Sequence, residues 1–223
     1  MTQLELPART PNLNRLDEGF DALRKDLIHE DGPRISTMRN YRFAILQYDP
    51  RLEFECRARV QRLSIDLEHA GWVVFTISLE KLLFDRIRAQ GPEFVKRVAR
   101  METTSARRGA AQGLNYLKSK LEPLIDPPRD GQGEGGLAGD CIDIIGRYVE
   151  QHPDRSDRML CLIGRAGALY PFFRTSALLR HIAGKTHNVP VVLLYPGERI
   201  GQTGLSFMGQ LPPDHDYRPR IYP

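Results

Sequence analysis

WVVFTI, residues 72–77, is an uninterrupted apolar run rich in β-branched side chains. Such a run is typical of a strand in a parallel sheet, because both faces of these sheets are covered by other elements. Upstream, residues 41–48 read YRFAILQY and end at Asp49-Pro50, where proline interrupts strand pairing. Between the two runs, a helix that stops at Gly71 is predicted by the spacing of Cys56, Val60, Leu63 and Leu67. Residues 41–77 therefore predict a strand–helix–strand unit.

The C-terminal third repeats this pattern. Residues 159–163 (MLCLI) predict a buried strand, residues 171–183 a helix with proline in its first turn, and residues 189–195 another strand. Residues 217–222 predict an edge strand, since Pro219 lies inside it. The sequence thus predicts an α/β fold. Its mostly parallel sheet has four to five strands with helices on both faces (Rossmann-like), and the fold contains a helical insert.

The chain divides into an N-terminal helix in residues 1–35 and one α/β domain in residues 36–223. The helix has one apolar stripe: Leu13, Leu16, Phe20, Leu23 and Leu27. This stripe either docks on its own domain, which is the simpler interpretation, or makes an intermolecular contact.

The helical insert covers about residues 78–152. Ser78 is a predicted N-cap, and further helices are predicted over residues 94–101 and 110–121. Three leucines of the last helix share one predicted inner face: Leu114, Leu117 and Leu121. Residues 126–139 (DPPRDGQGEGGLAG) have the composition of a loop. The following helix has one apolar stripe, formed by Cys141, Ile144, Ile145 and Tyr148.

Composition favours a cytoplasmic globular protein. Among 223 residues, 41% are hydrophobic and 27% are charged, which is ordinary for a globular domain. No apolar run is long enough to span a membrane, and the N-terminal residues do not resemble a secretory signal. The three cysteines are far apart and are expected to be reduced. A net charge of +4 is compatible with an anionic partner but also with an ordinary mixed-charge surface.

Motif comparison predicts no catalytic residue, no metal site and no cofactor. Gly184-Lys185-Thr186 resembles the end of a phosphate-binding loop but follows a helix, so a helix stop is the better interpretation. Gly131, Gly133 and Gly136 match the spacing GxGxxG, yet no strand precedes them, which favours a flexible loop. The six histidines do not form a zinc-binding pattern with each other or with cysteine.

Two segments are candidates for binding anions. The loop at residues 164–167 follows a strand, and its amides, with Arg165 or Arg174, would hold an anion; a tight turn is the simpler interpretation. The second segment carries five candidate nucleic-acid contacts: Lys96, Arg97, Arg100, Arg107 and Arg108. Aromatic residues for base stacking are missing between them, and a solvated helix face is the simpler interpretation.

Two blocks of the C-terminal third resemble a known family. Residues 165–174 read RAGALYPFFR, residues 189–198 read VPVVLLYPGE, and Asp216-Tyr217-Arg218 follows. With Tyr48-Asp49-Pro50 upstream, they resemble the BrxB family of bacteriophage exclusion (BREX) systems over about residues 40–223. The resemblance implies a role in defence against phage. It also implies work with other BREX proteins, which include a methyltransferase, an AAA+ ATPase and PglZ. This phosphatase-superfamily protein is the first-choice partner.

The family has no agreed catalytic residues, so the resemblance transfers none. Candidates for binding a partner or ligand are polar or aromatic residues in these blocks and at strand ends: Asp49, Arg165, Tyr170, Arg174, Tyr195, Glu198, Tyr217 and Arg218. For Phe172 and Phe173 a core position is favoured. Arg174 and Glu198 either pair with each other or contact a partner.

Three functions are consistent with the residues. The first is a non-enzymatic adaptor that binds another BREX protein. The second is a DNA-binding accessory module, with DNA contacted within a larger complex. The third is a nucleotide-binding protein or nucleotide-dependent enzyme that uses the loop at residues 164–167.

Overall fold

The protein is described by a computed structural model for residues 11–30, 32–35, 42–126, 135–201, 204–214 and 219–223. Its helices are α1 (Pro11–Leu27), α2 (Glu53–His69), α3 (Leu79–Ala89), α4 (Pro92–Ala106), α5 (Ala110–Ile125), α6 (Gly136–Gln151) and α7 (Thr175–Ile182). Its strands are β1 (Phe43–Tyr48), β2 (Val73–Ser78), β3 (Met159–Gly164), β4 (Val191–Ile200), β5 (Gly204–Phe207) and β6 (Arg220–Tyr222). Short 3-10 turns cover Pro50–Leu52, Pro153–Arg158 and Ala166–Leu169.

The strands form one mostly parallel sheet with the order β2-β3-β4-β1-β6, and β5 pairs with β4. β1 runs parallel to β4, from Phe43 opposite Val191 to Tyr48 opposite Pro196. All six residues of β1 are buried, which explains why its apolar run does not alternate with polar residues. The α/β class and the mostly parallel sheet are confirmed, and β6 lies at the predicted edge.

The described chain divides into two compact units. Unit 1 contains Met1–Phe75, Arg155–Leu162 and Asn188–Pro223. Unit 2 contains Thr76–Asp154 and Ile163–His187.

In unit 1, α1 packs into the core. Leu16, Phe20, Leu23 and Leu27 are each at most 6% exposed and share a cluster with residues of β1, α2 and β4. The prediction that α1 docks on its own domain is therefore confirmed. Asp26 strengthens the attachment, because its carboxylate accepts a hydrogen bond from the Tyr222 hydroxyl at 2.7 Å and pairs with Arg220 at 2.8 Å.

Unit 2 contains the helices of the predicted insert, with some changes. Ser78 caps α3 as predicted, since its hydroxyl accepts a hydrogen bond from the Lys81 amide. α4 and α5 pack on each other, and both are longer than predicted. The predicted inner position of Leu114 is wrong, because this side chain is 44% exposed while its neighbour Gly113 is buried. A glycine faces α4 because the two helices approach too closely for a larger residue.

Four further predictions about the chain are corrected. The helix predicted from Pro171 begins at Thr175, because a 3-10 turn and extended backbone at Arg174 come first. The strand predicted to end at Tyr195 continues to Ile200, because β5, which was not predicted, pairs with its second half. Pro219 precedes β6 instead of lying inside it. The loop predicted at 126–139 is wrong from Gly136 onward, where α6 begins, and residues 127–134 of it lie outside the described residues.

Two helical glycines of unit 2 give a matched test of this packing. A Cβ at Gly113 would lie 2.9 Å from the Ala106 Cβ, whereas one at Gly146 would meet only the His187 ring at 3.7 Å. Gly146→Ala is expected to raise the free energy of unfolding by about 0.5–1 kcal/mol through helix propensity. Gly113→Ala is expected to lower it by about 1 kcal/mol, because the clash outweighs the same gain. Urea denaturation of both variants measures the difference, and equal effects would contradict the close helix approach.

Candidate functional site

A cleft of about 210 Å³ lies in unit 1, where β1 ends beside β4. Its polar lining comes from α1, from the end of β1 and from β4: Asn12, Arg15, Gln47, Asp49, Glu198 and Arg199. Ligands of parallel sheets bind at the carboxyl ends of strands, so this strand-end cleft is the natural candidate site. It contains two of the predicted residues, Asp49 and Glu198.

Asp49 holds the chain in place after β1. It precedes the 3-10 turn Pro50–Leu52, and its carboxylate accepts hydrogen bonds from the Arg51 amide at 2.9 Å and from Asn12 Nδ2 at 2.5 Å. The Arg51 guanidinium lies 2.6 Å from the same carboxylate. Hydrogen bonding by Arg51 is the largest reason why the pKa of Asp49 falls to about 2, although burial opposes it. A carboxylate so firmly ionised is a poor general base.

Two other polar side chains near the end of β1 also have structural partners. Gln47 is buried, and its Nε2 donates a hydrogen bond to the Gly197 carbonyl at 2.6 Å. The Tyr48 hydroxyl donates to Glu53 at the start of α2. The pKa of Arg51 is raised mainly by its hydrogen bonds and charge attraction to Asp49, and to a smaller extent by the exposed Glu198. The geometry therefore ties β1, β4 and α2 together through side chains.

Tyr195 is a predicted contact residue that the structure places elsewhere. It lies in the middle of β4 with 0% exposure, and its ring meets the edge of Phe207 at 5.6 Å between centroids. A side chain with no exposed surface has no direct contact with a partner, so this prediction is wrong. Pro196 and Gly197 are also buried strand residues and not a turn.

In unit 2, Arg165 follows β3 in the left-handed backbone region with φ 63°. Its guanidinium contacts the Glu80 carboxylate of α3 with distances of 2.6 and 2.7 Å. The charge expected to attract an anion is therefore already neutralised. In addition, the loop leads into a 3-10 turn and not into the α-helix that the predicted anion site required.

Tyr170 and Arg174 lie on the exposed segment between β3 and α7. Tyr170 is 37% exposed, and Arg174 is exposed directly before the first residue of α7, not one turn inside a helix. Between them Phe173 is buried, as predicted, and Phe172 is half-buried. The segment thus anchors one aromatic residue in the core and presents polar atoms to solvent.

Several other predicted residues have clear positions. Gly184 has φ 76° just after α7, which confirms a helix stop at Gly184-Lys185-Thr186. Gly136 starts α6, where a Cβ would lie 2.4 Å from the Ile125 carbonyl oxygen. Tyr217, Arg218, Gly131 and Gly133 lie outside the described residues.

Sequence reasoning missed an apolar surface on α2. Phe54 is 77% exposed, Ile65 is 45% exposed, and Ala58 between them is also exposed. At about 100° per residue these three lie on the side opposite the buried stripe of α2. We call them the α2 outer face. The sequence contains the signal, because Phe54, Ala58 and Ile65 are apolar but do not belong to the buried stripe. Detecting it requires a second search for apolar residues on the opposite side of the same helix.

The five basic candidates all lie on α4 or in the turn after it, and all are exposed. Lys96 pairs with Glu93 at 2.9 Å, and the Arg97 guanidinium lies 5.9 Å from the centre of the Phe94 ring. Their side chains are exposed, which fits both a solvated helix face and contact with an anionic partner.

The described part of the chain has no accessible thiol and no metal-binding cluster, two features on which catalysis often depends. All three cysteines are buried thiols; burial raises the pKa of Cys56 to about 12 and raises that of Cys141 further. The described residues contain no cluster of three or more His, Cys, Asp or Glu able to hold a metal. Among them, no helix is long and apolar enough to cross a membrane.

The ion pair of Asp49 makes a prediction about pH. Because its folded pKa lies below the unfolded value near 3.8, its stabilisation is complete above that value and disappears as pH falls towards 2. Asp49→Asn is expected to cost about 1 kcal/mol at pH 7, a modest amount because Arg51 is mostly exposed. Chemical denaturation between pH 7 and pH 2.5 should show the two proteins converging. A difference that stays constant with pH would contradict this role of the charge.

Comparison with known families gives one result. The family model described as BREX protein BrxB matches residues 75–221, about two thirds of the chain. The match begins later than the resemblance noted from Tyr48-Asp49-Pro50, but it contains both C-terminal blocks. Comparison with curated proteins and with solved structures finds no significant match. The chain therefore belongs to the BrxB family and is a component of BREX defence systems.

Proposed function

We propose that this protein is a non-enzymatic adaptor of a BREX anti-phage system. It binds another protein of the system, and the PglZ-like member of the phosphatase superfamily is the first-choice partner. Membership of the BrxB family supports the role in defence. The choice of partner rests on the resemblance, and the adaptor role rests on the surface and site described above.

The observation that carries the proposal is the α2 outer face. A helix on a protein surface normally has charged or polar residues on its solvent side. Here that side has Phe54 at 77% exposure and Ile65 at 45%. The Arg57 guanidinium lies 5.8 Å from the centre of the Phe54 ring. Aromatic residues and arginine are the types that are enriched in protein interfaces, so this face has the chemistry of a docking surface.

The chemistry of the strand-end cleft supports a role without catalysis. Asp49 is committed to Arg51 and Asn12, and Glu53 to Tyr48. In unit 2, Arg165 is committed to Glu80. Each of these pairs fixes a loop to a neighbouring element. Groups paired in this way stabilise the surface. To transfer a proton or cleave a bond, they would first have to leave these hydrogen bonds and ion pairs.

Tyr170 and Arg174 support a second contact area. Both residues are exposed and lie within the segment matched by the family model, whereas α2 precedes that segment in the chain. Phe173 and the start of α7 hold the segment, so little conformational freedom would be lost on binding.

The α2 outer face predicts the effect of paired substitutions. Phe54→Asp/Ile65→Asp is expected to weaken binding to the PglZ-like protein by about 10- to 100-fold, because charges would replace apolar contacts that become buried in the complex. Ile28→Asp/Phe84→Asp is the matched control, since these side chains are 44% and 50% exposed at other positions. Co-expression, size-exclusion chromatography and titration measure the complex. Elution of the unaltered protein apart from every BREX component would contradict the adaptor role, and equal binding by both variants would exclude the α2 outer face.

The exposed segment with Tyr170 and Arg174 predicts a separate effect. Tyr170→Ala/Arg174→Glu is expected to reduce protection against phage by at least about tenfold, because partner contacts of this kind often exceed 1 kcal/mol. Arg180→Ala, which changes an exposed residue of the same helix region, should leave protection unchanged. Plaque counts on cells with the complete defence locus provide the measurement. Full protection by the double variant would remove this segment from the interface.

A further inference from the structure

Helix α4 has a line of basic side chains on one side. With about 100° of rotation per residue, Lys96, Arg100 and Arg107 lie within about 40° of each other, and Arg97 within about 100° of Lys96. Arg107 keeps helical dihedral angles just after the helix, and Arg108 follows in the turn. From Lys96 to Arg107 the line is about 17 Å long at 1.5 Å per residue. We call Lys96, Arg97, Arg100, Arg107 and Arg108 the α4 basic line.

Few acidic groups compensate these charges. Glu93 pairs with Lys96 at 2.9 Å, but Arg100, Arg107 and Arg108 have no ion pair with any residue that the structure describes. Glu102, the acid within the segment, is half-buried on the opposite side of α4, next to Gly113 of α5. The line therefore keeps most of its charge exposed to solvent.

The whole net charge of the protein is also carried by the unit that contains α4. Unit 1 has 16 basic and 16 acidic residues, whereas unit 2 has 16 basic and 12 acidic residues. The excess of +4 therefore belongs entirely to unit 2. A local concentration of this kind attracts a polyanion more strongly than an even distribution does.

We propose that the α4 basic line binds the phosphate backbone of double-stranded DNA without sequence preference. A straight line of about 17 Å spans roughly five base pairs of a duplex, whose backbone carries a phosphate on each strand every 3.4 Å. Single-stranded nucleic acid is held mainly by stacking on exposed aromatic rings, and Phe94, the aromatic residue of α4, is half-buried under Arg97. Exposed, planar guanidinium groups on one side of a helix match the duplex backbone better.

This activity is distinct from the adaptor role, because the α4 basic line shares no residue with the α2 outer face or with the Tyr170–Arg174 segment. It would allow a BREX complex to stay on DNA while other components act there. Contacts to phosphate alone give weak binding that depends strongly on salt.

Fluorescence anisotropy with two unrelated 20-base-pair duplexes, from 50 to 200 mM NaCl, tests the proposal. Neutralising about four phosphates predicts a slope near −4 in log affinity against log salt, so affinity falls about 100- to 300-fold over this range. Arg100→Ala/Arg107→Ala should lower the affinity at 50 mM NaCl by at least about tenfold and reduce the slope by about 2. The same variant should still bind the PglZ-like protein.

Lys25→Ala/Arg180→Ala is the control, because it removes two exposed charges that do not belong to the α4 basic line and should leave the affinity nearly unchanged. Circular dichroism verifies that both variants are folded. Any of three results of the anisotropy assay would overturn the proposal: no binding at 50 mM NaCl, equal loss in both variants, or tighter binding of single-stranded DNA or duplex RNA. Loss of protein partner binding in the α4 variant, with DNA binding intact, would assign the line to an acidic protein instead.

Discussion

The parallel pairing of β1 with β4 is the constraint on which unit 1 depends. Every residue of β1 is buried, so each of its backbone amide and carbonyl groups needs a partner inside the sheet. β4 pairs with the whole length of β1 on one side, and β6 pairs with residues 44–46 on the other. α1 and α2 then cover one face of β1, where Leu16, Leu23 and Leu63 share a cluster with Ala44, Leu46 and Tyr48. The same pairing brings the end of β1 beside Gly197 and so creates the strand-end cleft.

Periodicity was enough to predict the central elements from sequence. The apolar runs of β1, β2 and β3 and the helical stripes of α1 and α2 are strong signals, because burial on both faces or on one side leaves a regular pattern. β5 was missed because GLSF is only four residues long and has no pattern of its own; it forms because the second half of β4 needs a partner. Leu114 was misplaced because a hydrophobic stripe does not reveal that a neighbouring glycine allows closer helix packing.

The candidate site was harder to predict for a similar reason. Asp49 could be placed at a strand end, but its hydrogen bond with Asn12 joins residues 37 positions apart, and sequence does not show such pairs. The bond between Arg165 and Glu80 spans 85 positions. Tyr195 was expected at a strand end because Pro196-Gly197 looks like a turn, whereas pairing with β5 keeps both residues in the strand. Exposure of Phe54 follows from the orientation of α2 on the sheet, which only the fold determines.

The central position of β1 also decides which part of the chain can fold when the protein is truncated to the segment that the family model matches. The matched segment begins at residue 75, inside β2, and therefore leaves out α1, β1 and α2. A truncated protein limited to that segment would lack the strand that separates β4 from β6 in the sheet. Its remaining strands would expose unsatisfied edges and the apolar side chains that α1 and α2 cover, and such surfaces aggregate. Recombinant production of this protein thus requires the residues that precede the recognisable family segment.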